Sequence, residues 1–260
     1  MATALGEIVA HLDRYLSIAE VPDHENAVNG LQVENSGMVA RLVAAVDASQ
    51  ATIEGAVQAG PGPVLLLVHH GLFWDGSRAL TGRAYRRVRT LLQHDAALYS
   101  AHIPLDIHPE VGNNPVLARE LGLEDTSWFG ELRGVPLGVL GQVPPRLRNR
   151  GALVAEVERL LRLDPGAARL IPGGPATVQR VGVITGAAGN MIAAARAAGV
   201  DTFVTGEGSH PSYFDAMEWG LNVIYAGHYA TETVGVQALA RHLSERFGLP
   251  WEFHDHPTGM

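Results

Sequence analysis

Two histidines stand side by side where an apolar run over residues 64–68 ends, in Val68-His69-His70-Gly71. Strand ends are where α/β proteins place their functional groups. Neighbouring strand residues point to opposite sides, so both imidazoles reach a common site only if the chain turns there, and Gly71 would permit the turn. The pair predicts metal binding; the bland alternative is two solvated histidines at a loop start. His228-Tyr229-Ala230-Thr231-Glu232 sets a histidine and a carboxylate four residues apart at the handover from a strand to a helix, with both side chains on one side. Glutamate has the reach and the two oxygens to bridge a pair of ions; its alternative role is a helix-start carboxylate favoured by the helix dipole. In Ala101-His102-Ile103-Pro104-Leu105-Asp106 another strand exits into a proline-stiffened loop that carries Asp106, either a hard oxygen ligand or a turn-capping aspartate.

Taken together, His69, His70, Asp106, His228 and Glu232 supply three imidazoles and two carboxylates. That set gives each of two divalent ions about three protein contacts and leaves positions open for water. It suits zinc, iron, manganese or nickel without choosing among them. The chemistry it predicts is metal-dependent hydrolysis of a small molecule, with Glu232 at the reacting centre. His102 would orient a ligand or exchange a proton with substrate. The competing reading is a protein that stores, delivers or senses metal, or a scaffold held together by it. His108, before Pro109, and His210, in Gly206-Glu207-Gly208-Ser209-His210, are further candidates to line a pocket, with a plain surface position as the alternative for each. His11, His24, His94, His242, His254 and His256 read as surface or packing residues. Gly186-Ala187-Ala188-Gly189-Asn190 lacks a full dinucleotide fingerprint and reads as a helix-start turn rather than an anion site.

Two absences narrow the chemistry further. The 260-residue chain has no cysteine and no lysine, all 19 of its cationic side chains being arginine. Thiolate metal sites, cysteine nucleophiles, Schiff bases and a phosphate-loop lysine are thereby excluded. A net charge of −8 without a basic run argues against nucleic acid as a partner. Hydrophobic residues at 47% and charged residues at 18% fit a globular protein. Glu7, Asp13 and Arg14 interrupt what would have to be the apolar core of a signal peptide, and runs such as 64–68 are too short to span a bilayer, so the expectation is a cytoplasmic protein.

The elements that must carry these residues follow from periodicity. Leu5, Ile8, Leu12, Leu16 and Ala19 recur at helical spacing over 4–19. After the Asn29-Gly30 turn come a strand at 42–46, a helix over about 49–59, a buried strand at 64–68, a helix over about 78–95 and a strand at 97–101. The same grammar returns as a strand at 178–184, a helix at 191–198, a strand at 202–205, a helix near 211–219 and a strand at 222–226. Tyr99-Ser100-Ala101-His102 parallels Tyr225-Ala226-Gly227-His228, and a carboxylate stands four residues beyond each histidine. The fold class expected is therefore α/β, as two similar, duplicated lobes with mixed sheets flanked by helices and the metal site between them. The domains read as 1–127 for the first lobe with its N-terminal helix, 128–178 for a connector and sheet extension around a helix at about 147–163, and 179–260 for the second lobe, with the lobes interleaved into one compact unit. A final helix over about 230–248 stops at Gly248 and leads to an edge strand at 251–253.

These segments resemble the GTP cyclohydrolase I type 2 homologue family, also called the Nif-three-like dinuclear-metal-centre proteins. The resemblance spans almost the whole chain. It rests on Asn29-Gly30-Leu31-Gln32-Val33, on His69-His70-Gly71 with Phe73-Trp74, on Pro104-Leu105-Asp106 with Gly112-Asn113-Asn114, and on Gly227-His228-Tyr229-Ala230-Thr231-Glu232. It implies metal ligands at His69, His70, Asp106, His228 and Glu232, two divalent ions per subunit, and a ring-shaped hexamer. It also implies hydrolase activity toward a nucleotide such as GTP. The short connector indicates that the long inserted domain of some members is absent.

Overall fold

The computed structural model describes residues 2–260. Its chain divides into two compact units, one made of residues through Gly112 together with Gly235–His256, the other of Asn113–Val234 with Pro257–Met260.

The first unit begins with β1 (Thr3–Ala4) and α1 (Leu5–Tyr15), followed by β2 (Gly30–Val33) and β3 (Met38–Val39). Next come β4 (Arg41–Asp47), α2 (Gln50–Gln58), β5 (Val64–His70), α3 (Gly82–Gln93), β6 (Ala96–Ser100) and the single turn α4 (Ile103–Asp106). Strands β4, β5 and β6 run parallel, while β2 pairs antiparallel with β6 at one edge. The alternation of side chains along these strands divides the core in two. Leu42, Ala44, Leu65, Leu67, Ala97 and Tyr99 pack with Ile8 and Leu12 of α1. Val43, Ala45, Leu66, Val68 and Leu98 pack with Ile53 of α2 and Leu91 of α3. A sheet covered on both faces explains why its strands read as continuous apolar runs.

The second unit begins with α5 (Asn113–Glu120), the hairpin β7 (Glu124–Leu132) and β8 (Val135–Gln142), then α6 (Arg150–Leu160) and β9 (Arg169–Pro172). It continues with β10 (Arg180–Val183), α7 (Ile192–Ala197), β11 (Thr202–Thr205), α8 (Ser212–Glu218), β12 (Asn222–Tyr225) and the single turn α9 (His228–Thr231). Its six strands are ordered β7-β8-β10-β11-β12-β9. Here β10, β11 and β12 are parallel, with β8 and β9 antiparallel on either side. Leu117, Leu121, Leu153 and Val157 from α5 and α6 or just beyond them pack with Val139, Val181, Val204 and Ile224 of the sheet.

The chain then enters α10 (Thr233–Phe247), which inserts Val236, Leu239 and Leu243 into the first core, and ends on β13 (Trp251–Phe253), parallel to β4. The first sheet is thus ordered β13-β4-β5-β6-β2. Each unit holds three consecutive parallel strands, the last running into a histidine and a one-turn helix, which is the repetition legible in the sequence. Among the described residues no helix is long and apolar enough to cross a membrane.

Several boundaries differ from expectation. The units divide after Gly112 rather than at 127, because α5 buries Leu117 in the second core. Residues 128–178 form no separate connector: they supply β7, β8, α6 and β9 of the second unit. The tail of the expected 179–260 lobe returns to the first unit, because the apolar stripe of α10 packs there. The hairpin at Arg133-Gly134 escaped because both residues take positive φ, +54° and +84°, without the Asn-Gly signature of such turns. The expected loop at 103–106 is a helical turn, which Pro104 tolerates near its start since the first turn needs no N–H donor there.

Candidate metal centre

In the first unit β5 extends through both histidines, so His69 and His70 are its last residues. Gly71 does not supply a left-handed turn. Its part is to leave space, since a Cβ there would collide with the side-chain amide of Gln32. That amide donates to the carbonyls of Ala27 and Val28, at 3.1 and 2.9 Å, and its oxygen accepts from Leu72 N at 2.8 Å. Gln32 therefore ties the loop before β2 to the segment that follows the histidine pair.

Each imidazole has its Nδ1 committed to an acceptor. His69 Nδ1 lies 2.9 Å from the Ala101 carbonyl, His70 Nδ1 2.8 Å from Asp47 Oδ1, and His102 Nδ1 2.8 Å from Asp23 Oδ1. A carbonyl or an ionised carboxylate can only accept, so the proton sits on Nδ1 and Nε2 is the nitrogen offered to a metal. Ring nitrogens of His69, His70 and His102 all lie within 4.8 Å of one another. Asp106, at the end of α4 and buried, brings Oδ1 to 3.6 Å from His69 Nε2. Two ligands on one tetrahedral ion with bonds of about 2.0–2.1 Å sit roughly 3.3 Å apart, so this spacing is that of neighbours around a shared cation.

Asp23 is central to the support of His102. Besides that imidazole it accepts from Asn29 Nδ2 at 2.8 Å and from the amides of His24 and Ile103 at 2.6 and 2.9 Å, while Asn29 Oδ1 accepts from His102 N at 2.8 Å. Burial would raise the Asp23 pKa, but the donors aimed at it outweigh that and hold the carboxyl down at about 2. Burial pushes the His102 pKa below its ordinary value, with Asp23 opposing, so the pair is read as a carboxylate beside a neutral imidazole.

In the second unit β12 ends at Tyr225, and α9 carries His228 at its start, with Glu232 capping its end. His228 Nε2 is 3.2 Å from Glu232 Oε1, again a spacing suited to two ligands on one ion, and His228 Nδ1 is 2.8 Å from Glu207 Oε1. The hydrogen bond to Glu232 outweighs burial and, with Glu207 adding to it, raises the His228 pKa to about 9, so a proton occupies the position between imidazole and carboxylate that a divalent cation would take. Glu232 is almost fully buried against Gly186, where φ is +67° and a Cβ would meet Glu232 Oε1.

The donor set fits a metal. Imidazoles whose proton is held on Nδ1 by protein acceptors, leaving Nε2 to coordinate, with carboxylate oxygens at ligand spacing, suit a transition-metal site. The family model described as Duf34/NIF3 (NGG1p interacting factor 3) matches residues 3–258. The chain belongs to the DUF34/NIF3 family. Within it, the "GTP cyclohydrolase 1 type 2 homolog" of Deinococcus radiodurans is 45% identical over 254 residues, covering 98% of this chain and 94% of that protein. A crystal structure of TTHA1606 from Thermus thermophilus matches with a TM-score of 0.87 at 42% identity, covering 99% of this chain and all of that one. The protein ybgI, described as of unknown function, matches with a TM-score of 0.88 at 38% identity over 99% of this chain and all of its own.

For this DUF34/NIF3 chain, sequence reading selected His69, His70, His102 and Asp106, which the first unit brings together, and His228 with Glu232, which the second unit pairs. It did not find Asp23, Asp47 or Glu207, the carboxylates that orient the histidines, although Glu207 lies in the very segment searched for His210. His210 itself is exposed and packs edge-on against Phe214, with ring centroids 5.6 Å apart. His108 lies 4.1 Å from the Tyr15 ring and accepts from the amides of Glu110 and Val111, so it closes a turn. Asn114, quoted for its motif, is structural: it donates to the Leu137 carbonyl and accepts from Thr185 N.

Proposed function

We propose that His69, His70, Asp106, His228 and Glu232 together hold two divalent ions and that the protein is a metal-dependent hydrolase of a nucleotide or related small molecule. The observation that carries the reading is the common commitment of Nδ1 on His69, His70 and His228 to protein acceptors, which presets each Nε2. Divalent ions at such a site supply Lewis acidity and acidify water. The residues of the chain then have distinct tasks. His102, neutral and partly buried beside Asp23, exchanges a proton with the substrate or leaving group. Glu232 contributes a ligand oxygen next to the reacting centre. The names of the relatives support a GTP ring-opening version of this reaction.

Elemental analysis of the purified protein should find about two transition-metal ions per chain. Protein loaded with zinc, manganese or iron should release formate or a formylated pyrimidine from GTP, or phosphate or alcohol from a panel of phosphoesters. Glu232→Gln should abolish turnover, and activity that survives it would sink the mechanism. A protein in which metal only holds the fold would melt far lower after chelation. Because the histidines are held by strand ends and protein acceptors, chelation should instead lower the melting temperature only modestly.

A further inference from the structure

Beside His70 lies a cavity of about 220 Å³ walled by Asp47, Ser49, Trp74, Asp75, Arg83 and Arg87. Its carboxylates are engaged, Asp47 with His70 Nδ1 and Asp75 with the Arg83 guanidinium. Two of its donors are not. Arg87 Nε and Trp74 Nε1 are both buried, and neither has an acceptor among the described residues. Buried donors without partners are uncommon in folded proteins because their lost hydration is uncompensated. Two from the walls of one cavity mark a place where the acceptor is expected to arrive with a ligand. Burial, and then the neighbouring charge of Arg83, pull the Arg87 pKa below the ordinary arginine value, with Asp75 and Asp47 opposing.

The size and surroundings narrow the ligand. Whole small-molecule sites run to roughly 300–1,000 Å³, so this cavity has room for one head group. It shares Leu72, Asp75, Arg83 and Arg87 with an adjoining groove of about 720 Å³, whose other walls include the apolar side chains of Val28, Phe73, Leu80 and Val88. A planar guanidinium and an indole N–H contributed by residues of one cavity's lining suit a tetrahedral oxyanion, which accepts from several directions at once.

We propose that this cavity is a phosphate-binding subsite in which Arg87 and Trp74 hold the phosphate of a phosphorylated substrate, while the larger groove takes its less polar body. The assignment of that ligand as substrate rests on the metal-site reading, since His70 is the wall shared with the reacting centre; the binding of phosphate does not.

The experiment therefore separates the two. Protein stripped of metal, with the chelator removed by gel filtration, is titrated calorimetrically with inorganic phosphate, guanosine monophosphate and guanosine. Phosphate should bind, and the nucleotide should bind at least about tenfold more tightly than the nucleoside. Arg87→Gln should weaken phosphate and nucleotide by about tenfold or more, with Arg87→Lys retaining part of the affinity. Trp74→Phe keeps the ring and removes the donor, so it should weaken both several-fold and serves as the second variant if Arg87→Gln does not fold. Absence of phosphate binding, or binding indifferent to both positions, overturns the subsite. Metal content of the untreated protein is measured in parallel, and its absence would overturn the metal reading while leaving the subsite standing.

Discussion

At the scale of single residues, each histidine proposed to bind metal has its ring fixed by a protein acceptor. Asp47 fixes His70, Asp23 fixes His102, and Glu207 fixes His228. Removing such a partner releases the ring and typically costs 10–100-fold in metal affinity. Asp47→Ala should therefore weaken zinc binding about tenfold or more in competition with a chromophoric chelator, with little change in circular dichroism; unchanged affinity would show that Asp47 does not position His70. A different histidine provides a pH test that does not involve the proposed metal ligands. His11 stacks on Tyr15 and His242, its Nε2 lies 2.9 Å from that of His242, and burial followed by the charges of Arg246, His242 and Arg14 lowers its pKa from 6.5 to about 4. The unfolded chain binds this proton more readily, so the contribution to stability is present above about pH 6.5 and is lost as the pH falls towards about 4. His11→Gln should flatten the fall of melting temperature across that window, and an unaltered slope would refute the assignment.

At the scale of elements, the proposed metal-ligand pair of the second unit packs against a turn where a Cβ would collide with it. Gly186 combines a φ of +67° with contact to Glu232 Oε1. Gly186→Ala should cost about 1–3 kcal/mol from the backbone alone and should also displace Glu232, so that stability and metal affinity fall together. Asn149→Ala is the comparison. Asn149 caps α6 by accepting from Gly151 N and Ala152 N, so its loss should cost about 1 kcal/mol while metal affinity holds. If both variants lost metal equally, the link between Gly186 and Glu232 would be wrong. The repetition of strand, histidine, one-turn helix and carboxylate in both units is the element-level pattern that the matching spacing of His102 with Asp106 and His228 with Glu232 revealed.

At the scale of the whole molecule, the chain leaves the first unit at Gly112 and returns to it at Gly235. Cutting the gene at the apparent sequence boundaries, 1–127 or 179–260, would separate α10 from the core that holds Val236, Leu239 and Leu243. Each fragment expressed alone should be unfolded by circular dichroism. The family resemblance further implies a hexamer, and sedimentation velocity at micromolar concentration should find that assembly; a monomer would refute it.

The sequence by itself determined the donor types, the strand ends that carry them and the α/β class, because residue chemistry and hydrophobic period are local properties. It excluded thiolate and lysine chemistry outright, since those side chains are absent. What tertiary structure alone decided were the partners: Asp23 reaches His102 across 79 residues, and Asp47 reaches His70 across 23. It also decided that Gly71 makes room for Gln32, that α10 belongs to the first core, and that Arg87 and Trp74 wall a common cavity. Pairings of this kind leave no periodic trace, because a hydrogen bond between distant segments constrains two positions and nothing in between.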